Sequence, residues 1–231
     1  MTILDLFRLD GQGAIVTGAS RGLGAAMADA LEESGAKVVR FSSRNVDLGN
    51  RDAVASLLDR TGDADILVNN AGIIRRAPVL EYTDEDWDAV IEVNLRSVFA
   101  LSRGFAQRLV ERKRGGHIIN VASLLSFQGG IRVAAYTAAK SGVLGLSRAM
   151  ANELAPLGIN VNAIVPGYMA TDNTQALRDD PTRSREILAR IPAGRWGTPD
   201  DLKGAVVFLA SRASEYVHGT ALAVDGGWLS R

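Results

Sequence analysis

Cysteine is absent from this sequence of 231 residues, and histidine occurs only twice, as His117 and His218. Without cysteine the chain can form no disulfide, no thiolate nucleophile and no cysteine-ligated zinc site. Two histidines that lie far apart in sequence do not make a metal site, so we expect both to be structural. The sequence therefore predicts no bound metal.

An excess of either charge is also missing, since 26 Lys and Arg residues balance 26 Asp and Glu residues. A chain without net charge has no general attraction to nucleic acid or to an acidic membrane surface. The most apolar long stretch, at about 131–150, contains three basic residues, and the first ten residues contain two aspartates in place of a basic leader. We expect a cytoplasmic globular protein with no nucleic-acid partner and no membrane partner.

Short apolar runs rich in β-branched residues alternate with helical patterns along most of the chain. The predicted strands are 14–16, 37–41, 65–68, 117–121, 159–164 and 221–224, and the predicted helices are 22–34, 136–155, 200–211 and one that starts near residue 83 and can continue past residue 94. Such alternation is typical of a doubly wound parallel α/β sheet with helices on both faces. We predict one Rossmann-like domain over 1–231, with a nucleotide-binding half at about 1–120 and a catalytic and lid half at about 121–231.

Three glycines lie between the first predicted strand and the first predicted helix. Glycines there let the chain turn tightly and bring backbone N–H groups to a pyrophosphate, which the helix N-terminus also attracts. A glycine cluster also occurs in plain turns, but its place between a strand and a helix favours a dinucleotide site. The predicted contacts from this turn are Gly18, Ser20, Arg21, Gly22, Leu23 and Gly24.

Tyr136 and Lys140 are four residues apart on a predicted helix, so their side chains lie on one face. A free phenol has a pKa of about 10, and a nearby ammonium can lower it toward the range that general acid–base catalysis requires. Ser123 follows the preceding strand and can hydrogen-bond a substrate oxygen. In isolation such a Tyr/Lys pair is more often a surface contact; together with Ser123 and the glycine turn it indicates a catalytic acid and the group that tunes it.

The glycine spacing, the segment Asn69–Gly72 and the later Tyr136 and Lys140 pair occur in an order that resembles the short-chain dehydrogenase/reductase family along the whole chain. The resemblance implies hydride transfer between a nicotinamide cofactor and a carbonyl or secondary alcohol, with Tyr136 as acid or base. It implies that Asn94 holds a water in the proton relay to Lys140, and that the protein is a homo-oligomer, commonly a tetramer. Further cofactor contacts that it implies are Asn70, Ala71, Gly72, Tyr136, Lys140, Pro166, Gly167, Met169 and Thr171.

The end of the second strand distinguishes NADH from NADPH, because a carboxylate there binds the ribose 2′-hydroxyl whereas an arginine accommodates a 2′-phosphate. Ser43 and Arg44 stand there with no acid, so the sequence favours NADP(H) over NAD(H), although Arg44 can equally be a solvated loop charge. By the resemblance Asp47 and Leu48 flank the adenine. The chain passes from Arg44 to Asp47 in three residues, too few for a parallel crossover, so the family's next helix is predicted to be missing and its third strand to be short or vestigial.

Segments 69–76, 123–133, 166–175 and 191–197 resemble the sugar-acid dehydrogenases that act on 2-deoxygluconate or 2-dehydro-3-deoxygluconate, a group usually described with NAD. Such a substrate needs a cation for its carboxylate and polar groups for its hydroxyls. The candidates are Arg75, Arg76 and Arg132 for the former and Gln128, Asn173 and Thr174 for the latter. Arg132 is favoured among the arginines because it lies four residues before Tyr136, but each of the three also suits a surface or subunit contact.

Two other functions stay open at this point. The same scaffold can reduce another carbonyl, such as a 3-oxoacyl thioester, a diketone or a steroid, which would call for a basic docking patch or an apolar lid. The polar, arginine-rich segment 172–195 argues against both features. A nucleotide-binding regulator that has lost catalysis would usually lack Tyr136 or Lys140, and both residues are present.

Overall fold

A single six-stranded parallel sheet forms the centre of the protein, whose computed structural model describes residues 2–231; Met1 of the predicted domain lies outside the described residues. The strands are β1 (Gly13–Thr17), β2 (Lys37–Phe41), β3 (Ile66–Asn69), β4 (Gly116–Val121), β5 (Ile159–Pro166) and β6 (Ala221–Val224). The helices are α1 (Gly22–Glu33), α2 (Arg51–Leu57), α3 (Asp84–Ile91), α4 (Ser97–Glu111), α5 (Ala134–Leu154), α6 (Gln175–Asp179), α7 (Pro181–Arg190) and α8 (Lys203–Ala210). The predicted doubly wound α/β fold is confirmed.

The sheet is buried on both faces, which explains why its inner strands read as continuous apolar runs rather than as alternating patterns. Every residue of β3 and of β5 is buried. One core cluster joins the sheet to α1 and α8, and a second joins the opposite face to α2 and α4. Within residues 2–231 no helix is both long enough and apolar enough to cross a membrane.

Strand order fixes where a ligand can bind. The sheet runs β2-β1-β3-β4-β5-β6, so the chain winds outward in opposite directions from β1 and β3, and β2 is left at one edge. In open α/β sheets the crevice for a ligand lies at such a reversal, beyond the carboxyl ends of the strands. The glycine turn after β1 and Ser123 after β4 are both at this end.

Residues 42–50, between β2 and α2, form turns only. The side chain of Asn45 closes the first turn: it accepts a hydrogen bond from the Ser42 N–H at 2.7 Å and donates to the Arg40 carbonyl at 3.3 Å. The prediction that the family's helix after β2 is missing is confirmed. The family strand that was predicted to be short or vestigial is absent from residues 42–50. Val46 and Leu48 fold inward instead, where each is 8% exposed against the α2 face of the core.

Candidate active site

Thr17, at the end of β1, ties the glycine turn to the segment after β3. Its hydroxyl accepts hydrogen bonds from the N–H groups of Asn70 and Ala71, both at 3.1 Å. The Asn70 amide donates back to the carbonyls of Thr17 and Gly18 at 3.0 and 3.1 Å. The glycine turn and the Asn70–Gly72 segment, both predicted to contact the cofactor, are therefore hydrogen-bonded side by side. Thr17 makes most of these bonds, although it was not among the predicted site residues.

Gly18 and Gly24 are required by close packing. Gly18 has φ +67°, and a side-chain carbon there would lie 2.8 Å from the Cα of Ala71. A side-chain carbon on Gly24 would lie 2.3 Å from the Gly18 carbonyl oxygen. The turn thus holds its backbone close to the Asn70–Gly72 segment, and only glycine fits.

The N-terminus of α1 suits an anionic group. The helix begins at Gly22, and its N-cap residue Arg21 forms no side-chain capping bond, so the first-turn N–H groups are open to a phosphate. The Arg21 guanidinium is 2.8 Å from the Asp172 carboxylate across the crevice. Ser20 is exposed in the turn, whereas Leu23 packs against the core. These residues fit the pyrophosphate of a dinucleotide.

The predicted adenosine contacts lie along the shortened segment. Ser43 and Arg44 are exposed just beyond β2, and the Arg44 side chain forms no ion pair within residues 2–231. The Asp47 carboxylate accepts a hydrogen bond from the Gly49 N–H at 2.9 Å. Leu48 is buried in the core, so its side chain is not available to a nucleotide.

Ser123, Tyr136 and Lys140 come together where β4 ends and α5 begins. Ser123 caps the short 3-10 turn Leu124–Ser126, and its hydroxyl accepts a hydrogen bond from the Leu125 N–H at 3.2 Å. Ser126, not predicted, donates its hydroxyl to the Lys140 carbonyl at 2.6 Å and so holds that turn against α5. The Lys140 ammonium donates to the Val121 carbonyl at 2.6 Å, and its nitrogen is 5.7 Å from the centre of the Tyr136 ring.

Burial controls the protonation of both side chains. It raises the pKa of the Tyr136 phenol, and the side chains of Ser123 and Arg76 oppose part of that rise. It lowers the pKa of Lys140 to about 8, because the ammonium is removed from water. The expectation that Lys140 lowers the pKa of the phenol is not met by the chain alone. A raised pKa favours the protonated phenol, which is the form that can donate a proton.

Asn94 is fully buried at an irregularity between α3 and α4. Residues Glu92–Arg96 form a π-helical turn, a feature that is often associated with functional sites. The Asn94 amide pairs with the backbone of Ile73, accepting from its N–H and donating to its carbonyl, both at 2.8 Å. A side-chain carbon on Gly72 would lie 3.1 Å from the Asn94 oxygen and 3.9 Å from the Lys140 nitrogen. The structure therefore gathers Gly72, Asn94 and Lys140, and Asn94 directly shapes the backbone beside the lysine.

The loop after β5 crosses to the glycine turn. Pro166 ends β5, and the Gly167 N–H donates to the Val224 carbonyl at 3.0 Å. Met169 is buried, and the Thr171 methyl lies 3.8 Å from the position of a side-chain carbon on Gly22. Thr171 thus lies across the crevice from the start of α1.

Thr174 is a poor candidate for a substrate contact. Its hydroxyl donates to the Met169 carbonyl at 2.6 Å and accepts from the Thr171 N–H at 3.2 Å. Both bonds hold the loop after β5 in shape. The prediction of Thr174 as a substrate residue is therefore revised: it supports the loop from within.

The three candidate arginines differ in their surroundings. Arg75 is paired with Asp86, at 3.2 Å. Arg132 has an exposed side chain with no hydrogen bond or ion pair in the part of the chain that the structure describes, and its φ of +64° is unusual for a non-glycine residue. Arg76 donates to the Asn173 carbonyl at 3.4 Å and is close enough to Tyr136 to lower the pKa of its phenol. Of the three arginines, Arg76 is therefore the one whose charge acts on Tyr136.

Polar side chains also fill the layer beneath the site. The Asn69 amide donates to Ser102 at 2.9 Å and to Asn120 at 2.8 Å, and Asn120 donates to Ser147 at 2.9 Å. All four residues are buried. Hydrogen-bonded groups of this kind are costly to disrupt, so they fix the carboxyl ends of β3 and β4 against α4 and α5.

Comparison with known proteins agrees with this geometry. A family model described as enoyl-(acyl carrier protein) reductase matches residues 44–229. The 2-dehydro-3-deoxy-D-gluconate 5-dehydrogenase of Escherichia coli (strain K12) is 53% identical over 252 positions, which cover 99% of this chain and 100% of the relative. The alignment is longer than the 231 residues of this chain, so that relative carries residues with no counterpart here, in agreement with the shortened segment after β2.

Two solved structures are similar over nearly the whole length. A crystal structure from Agrobacterium tumefaciens, of a candidate 2-deoxy-D-gluconate 3-dehydrogenase with bound NADP, is 50% identical with a TM-score of 0.95 and covers 98% of this chain and 100% of its own. A gluconate 5-dehydrogenase from Burkholderia cenocepacia J2315, in complex with NADP and tartrate, is 38% identical with a TM-score of 0.92 and covers 100% of both chains. Identity of this level over the full length, on a matching fold, shows that the chain belongs to the short-chain dehydrogenase/reductase family.

Proposed function

We propose that this NAD(P)-dependent oxidoreductase interconverts a ketone and a secondary alcohol on a sugar acid of the 2-dehydro-3-deoxygluconate or 2-deoxygluconate type. The observation that carries the proposal is the cluster of Tyr136, Ser123 and Arg76, which offers a proton, a hydrogen bond and a cation at one point. Four relatives named 2-dehydro-3-deoxy-D-gluconate 5-dehydrogenase, 47–53% identical over 98–99% of this chain, support the substrate class.

A bound nicotinamide supplies or accepts the hydride at the carbonyl carbon. In the reducing direction the Tyr136 phenol donates a proton to the oxygen, and the Ser123 hydroxyl hydrogen-bonds the same oxygen. Lys140, whose pKa of about 8 lies close to physiological pH, can return a proton toward the phenol. Asn94 keeps the Gly72–Ile73 backbone beside the lysine, where the relay water predicted by the family resemblance would sit.

The substrate carboxylate is proposed to meet Arg76. A guanidinium can bind a carboxylate through two parallel hydrogen bonds, and Arg76 reaches across the crevice to Asn173. Gln128 and Asn173 are the proposed partners of the substrate hydroxyls. This assignment places the charged end of the substrate near Tyr136 and under the lid formed by α6 and α7.

For the cofactor we propose a preference for NADP(H). The support is the absence of an acid at residues 42–44, the exposed Arg44 guanidinium, and NADP in the two related structures. The proposed cofactor contacts come from Gly18–Gly24, Ser43–Leu48, Asn70–Gly72 and Pro166–Thr171, segments that follow β1, β2, β3 and β5 at the carboxyl end of the sheet. The proposed boundary between the nucleotide-binding half and the catalytic half, near residue 120, lies at the end of β4.

We also propose an assembly state and a cellular compartment. A homotetramer is the usual form in the family, and α5 is the helix expected to contribute to it. The cytoplasm, where reduced nicotinamides are available, is the proposed compartment.

The decisive experiment is an absorbance assay of the reduced nicotinamide with purified protein. The protein is mixed with 2-dehydro-3-deoxygluconate or 2-deoxygluconate and, separately, with NADP(H) and NAD(H). An acetoacetyl thioester and a diketone serve as the comparison substrates. We expect turnover of the sugar acids with kcat/KM well above that of the comparison substrates. Turnover confined to the thioester would replace the proposal with an acyl-carrier reductase, and no turnover of any sugar acid would overturn it.

A further inference from the structure

Gln128, Arg190 and Trp228 form a contact, here called the Gln128 clamp, that joins three distant parts of the chain. The Gln128 side-chain oxygen accepts hydrogen bonds from the Arg190 guanidinium and from the Trp228 indole N–H, both at 3.3 Å. The Arg190 guanidinium also lies over the Trp228 ring, 4.1 Å from its centre. Gln128 follows the Ser123 turn, Arg190 ends α7, and Trp228 is buried in the C-terminal segment.

The clamp fixes which way the Gln128 amide faces. Both neighbours can only donate, so the amide atom between them must be the oxygen. The NH2 group therefore points away from Arg190 and Trp228. In residues 2–231 no group accepts a hydrogen bond from it, and it is not among the buried polar atoms left without a partner. It is thus a pair of oriented, accessible donors.

The clamp borders the site already described. Tyr168, which precedes Met169 in the loop after β5, packs against Trp228 with ring centres 4.6 Å apart and the rings tilted by 58°. The backbone N–H of Gln128 donates to the Leu124 carbonyl at 3.2 Å, which anchors Gln128 to the turn that begins at Ser123. The lid, the loop after β5 and the Ser123 turn therefore meet at Trp228.

We propose that Trp228 and Arg190 are positioning residues, which hold the Gln128 amide so that its two N–H groups select a substrate with hydroxyl or carboxylate oxygens. The inference rests on the proposed function, since it assigns to that substrate a specificity contact. A fixed two-donor amide binds an oxygen acceptor without the entropy cost of ordering a free side chain. A ketone without such oxygens gains nothing from it.

The test is Trp228→Phe, which removes the indole N–H and keeps an aromatic ring for Arg190 and Tyr168. Trp196→Phe is the matched control, because Trp196 also contacts Tyr168, at 5.7 Å between ring centres, but does not bond Gln128. We expect Trp228→Phe to raise KM for the sugar acid about 2- to 12-fold, the value of one neutral hydrogen bond, with kcat nearly unchanged. KM for NADP and for diacetyl, a small ketone without hydroxyl groups, stays as in the wild type, and Trp196→Phe changes none of these.

Gln128→Glu keeps the contacts of the Gln128 clamp but removes the two N–H donors. A carboxylate still accepts from Trp228 and pairs more strongly with Arg190, but it has no N–H to give. The variant should therefore keep the thermal stability of the wild type and raise KM for the sugar acid at least as much as Trp228→Phe does. A parallel change for sugar acid and diacetyl in either variant, or an unchanged sugar-acid KM in both, would overturn the inference.

Failure of the proposed function is recognised in the wild type, before any variant is made. If the wild type reduces other polyhydroxy ketones but not the proposed acids, only the substrate assignment fails, and the ratio of KM values is measured on those ketones. If the wild type reduces diacetyl and no hydroxylated ketone, the specificity role of Gln128 is overturned as well.

Discussion

Replacing Gly24 by alanine tests whether the tight contact between the glycine turn and the Asn70 segment builds the nucleotide site. The added carbon would lie 2.3 Å from the Gly18 oxygen and 2.4 Å from the Asn70 amide nitrogen, so the Gly18 carbonyl must move by roughly 1 Å to reach ordinary contact. The Asn70 hydrogen bond to that carbonyl is then lost, at about 1 kcal/mol, and overpacking adds about 1–3 kcal/mol. The total of about 2–4 kcal/mol corresponds to a 30- to 900-fold loss if it falls on cofactor affinity.

The same energy of about 2–4 kcal/mol can instead reduce the stability of the fold, so both the Tm and the NADP affinity are measured. Thermal unfolding is recorded with and without NADP, and NADP affinity is measured by titration calorimetry. Gly204→Ala, on α8, is the control because a side-chain carbon there meets nothing within 4 Å. We expect Gly24→Ala to lose either at least tenfold in affinity or several degrees of Tm, and Gly204→Ala to lose neither. Wild-type affinity together with wild-type Tm in Gly24→Ala would refute the packing argument.

Three further predictions follow from the site and the core. Tyr136→Phe should lower kcat by about 100- to 10,000-fold, as measured by steady-state kinetics at saturating NADP, and activity within a few-fold of wild type would exclude the proton-donor role. Arg44→Asp should weaken NADPH about 10- to 150-fold and leave NADH equal or better, as judged by the two KM values; an unchanged ratio would mean that Arg44 is only a solvated charge. Burial lowers the pKa of His117 from 6.5 to about 4, so the unfolded chain binds more protons across that interval and the fold should lose up to about 3 kcal/mol as pH falls through it. Thermal unfolding of His117→Gln should lose this part of the pH dependence while His218→Gln retains it, and identical pH profiles for the two variants would refute the assignment.

The sheet could be predicted from the sequence because each buried strand is a local run of apolar, β-branched residues. The helices α1, α5 and α8 could be predicted for a similar reason, since each repeats its apolar residues at helical spacing. The helices α2, α6 and α7 were not predicted, because α2 and α6 are short, at 7 and 5 residues, and α7 is mostly polar. For α7 a signal was present: Asp180 caps the helix and Pro181 occupies its first turn, a common pairing at helix starts.

The order of the site residues could be predicted, but their contacts could not. Tyr136 and Lys140 are four residues apart, so their common face follows from helix geometry alone. The contact between Gln128 and Trp228 joins residues 100 positions apart, and the choice of Arg76 over Arg132 depends on how two loops cross. Such juxtapositions arise from the tertiary fold, and a single sequence gives no distance between them.

The family strand that is missing after β2 affects solubility rather than catalysis. It leaves β2 as an edge strand, whose outer N–H and carbonyl groups could pair with another chain and begin aggregation. The strand carries two basic side chains. Lys37 is exposed, and Arg40 forms ion pairs with Asp29 at 2.6 Å and Glu32 at 2.7 Å. We therefore expect apolar substitution of Lys37 or Arg40 to make this chain more prone to aggregation.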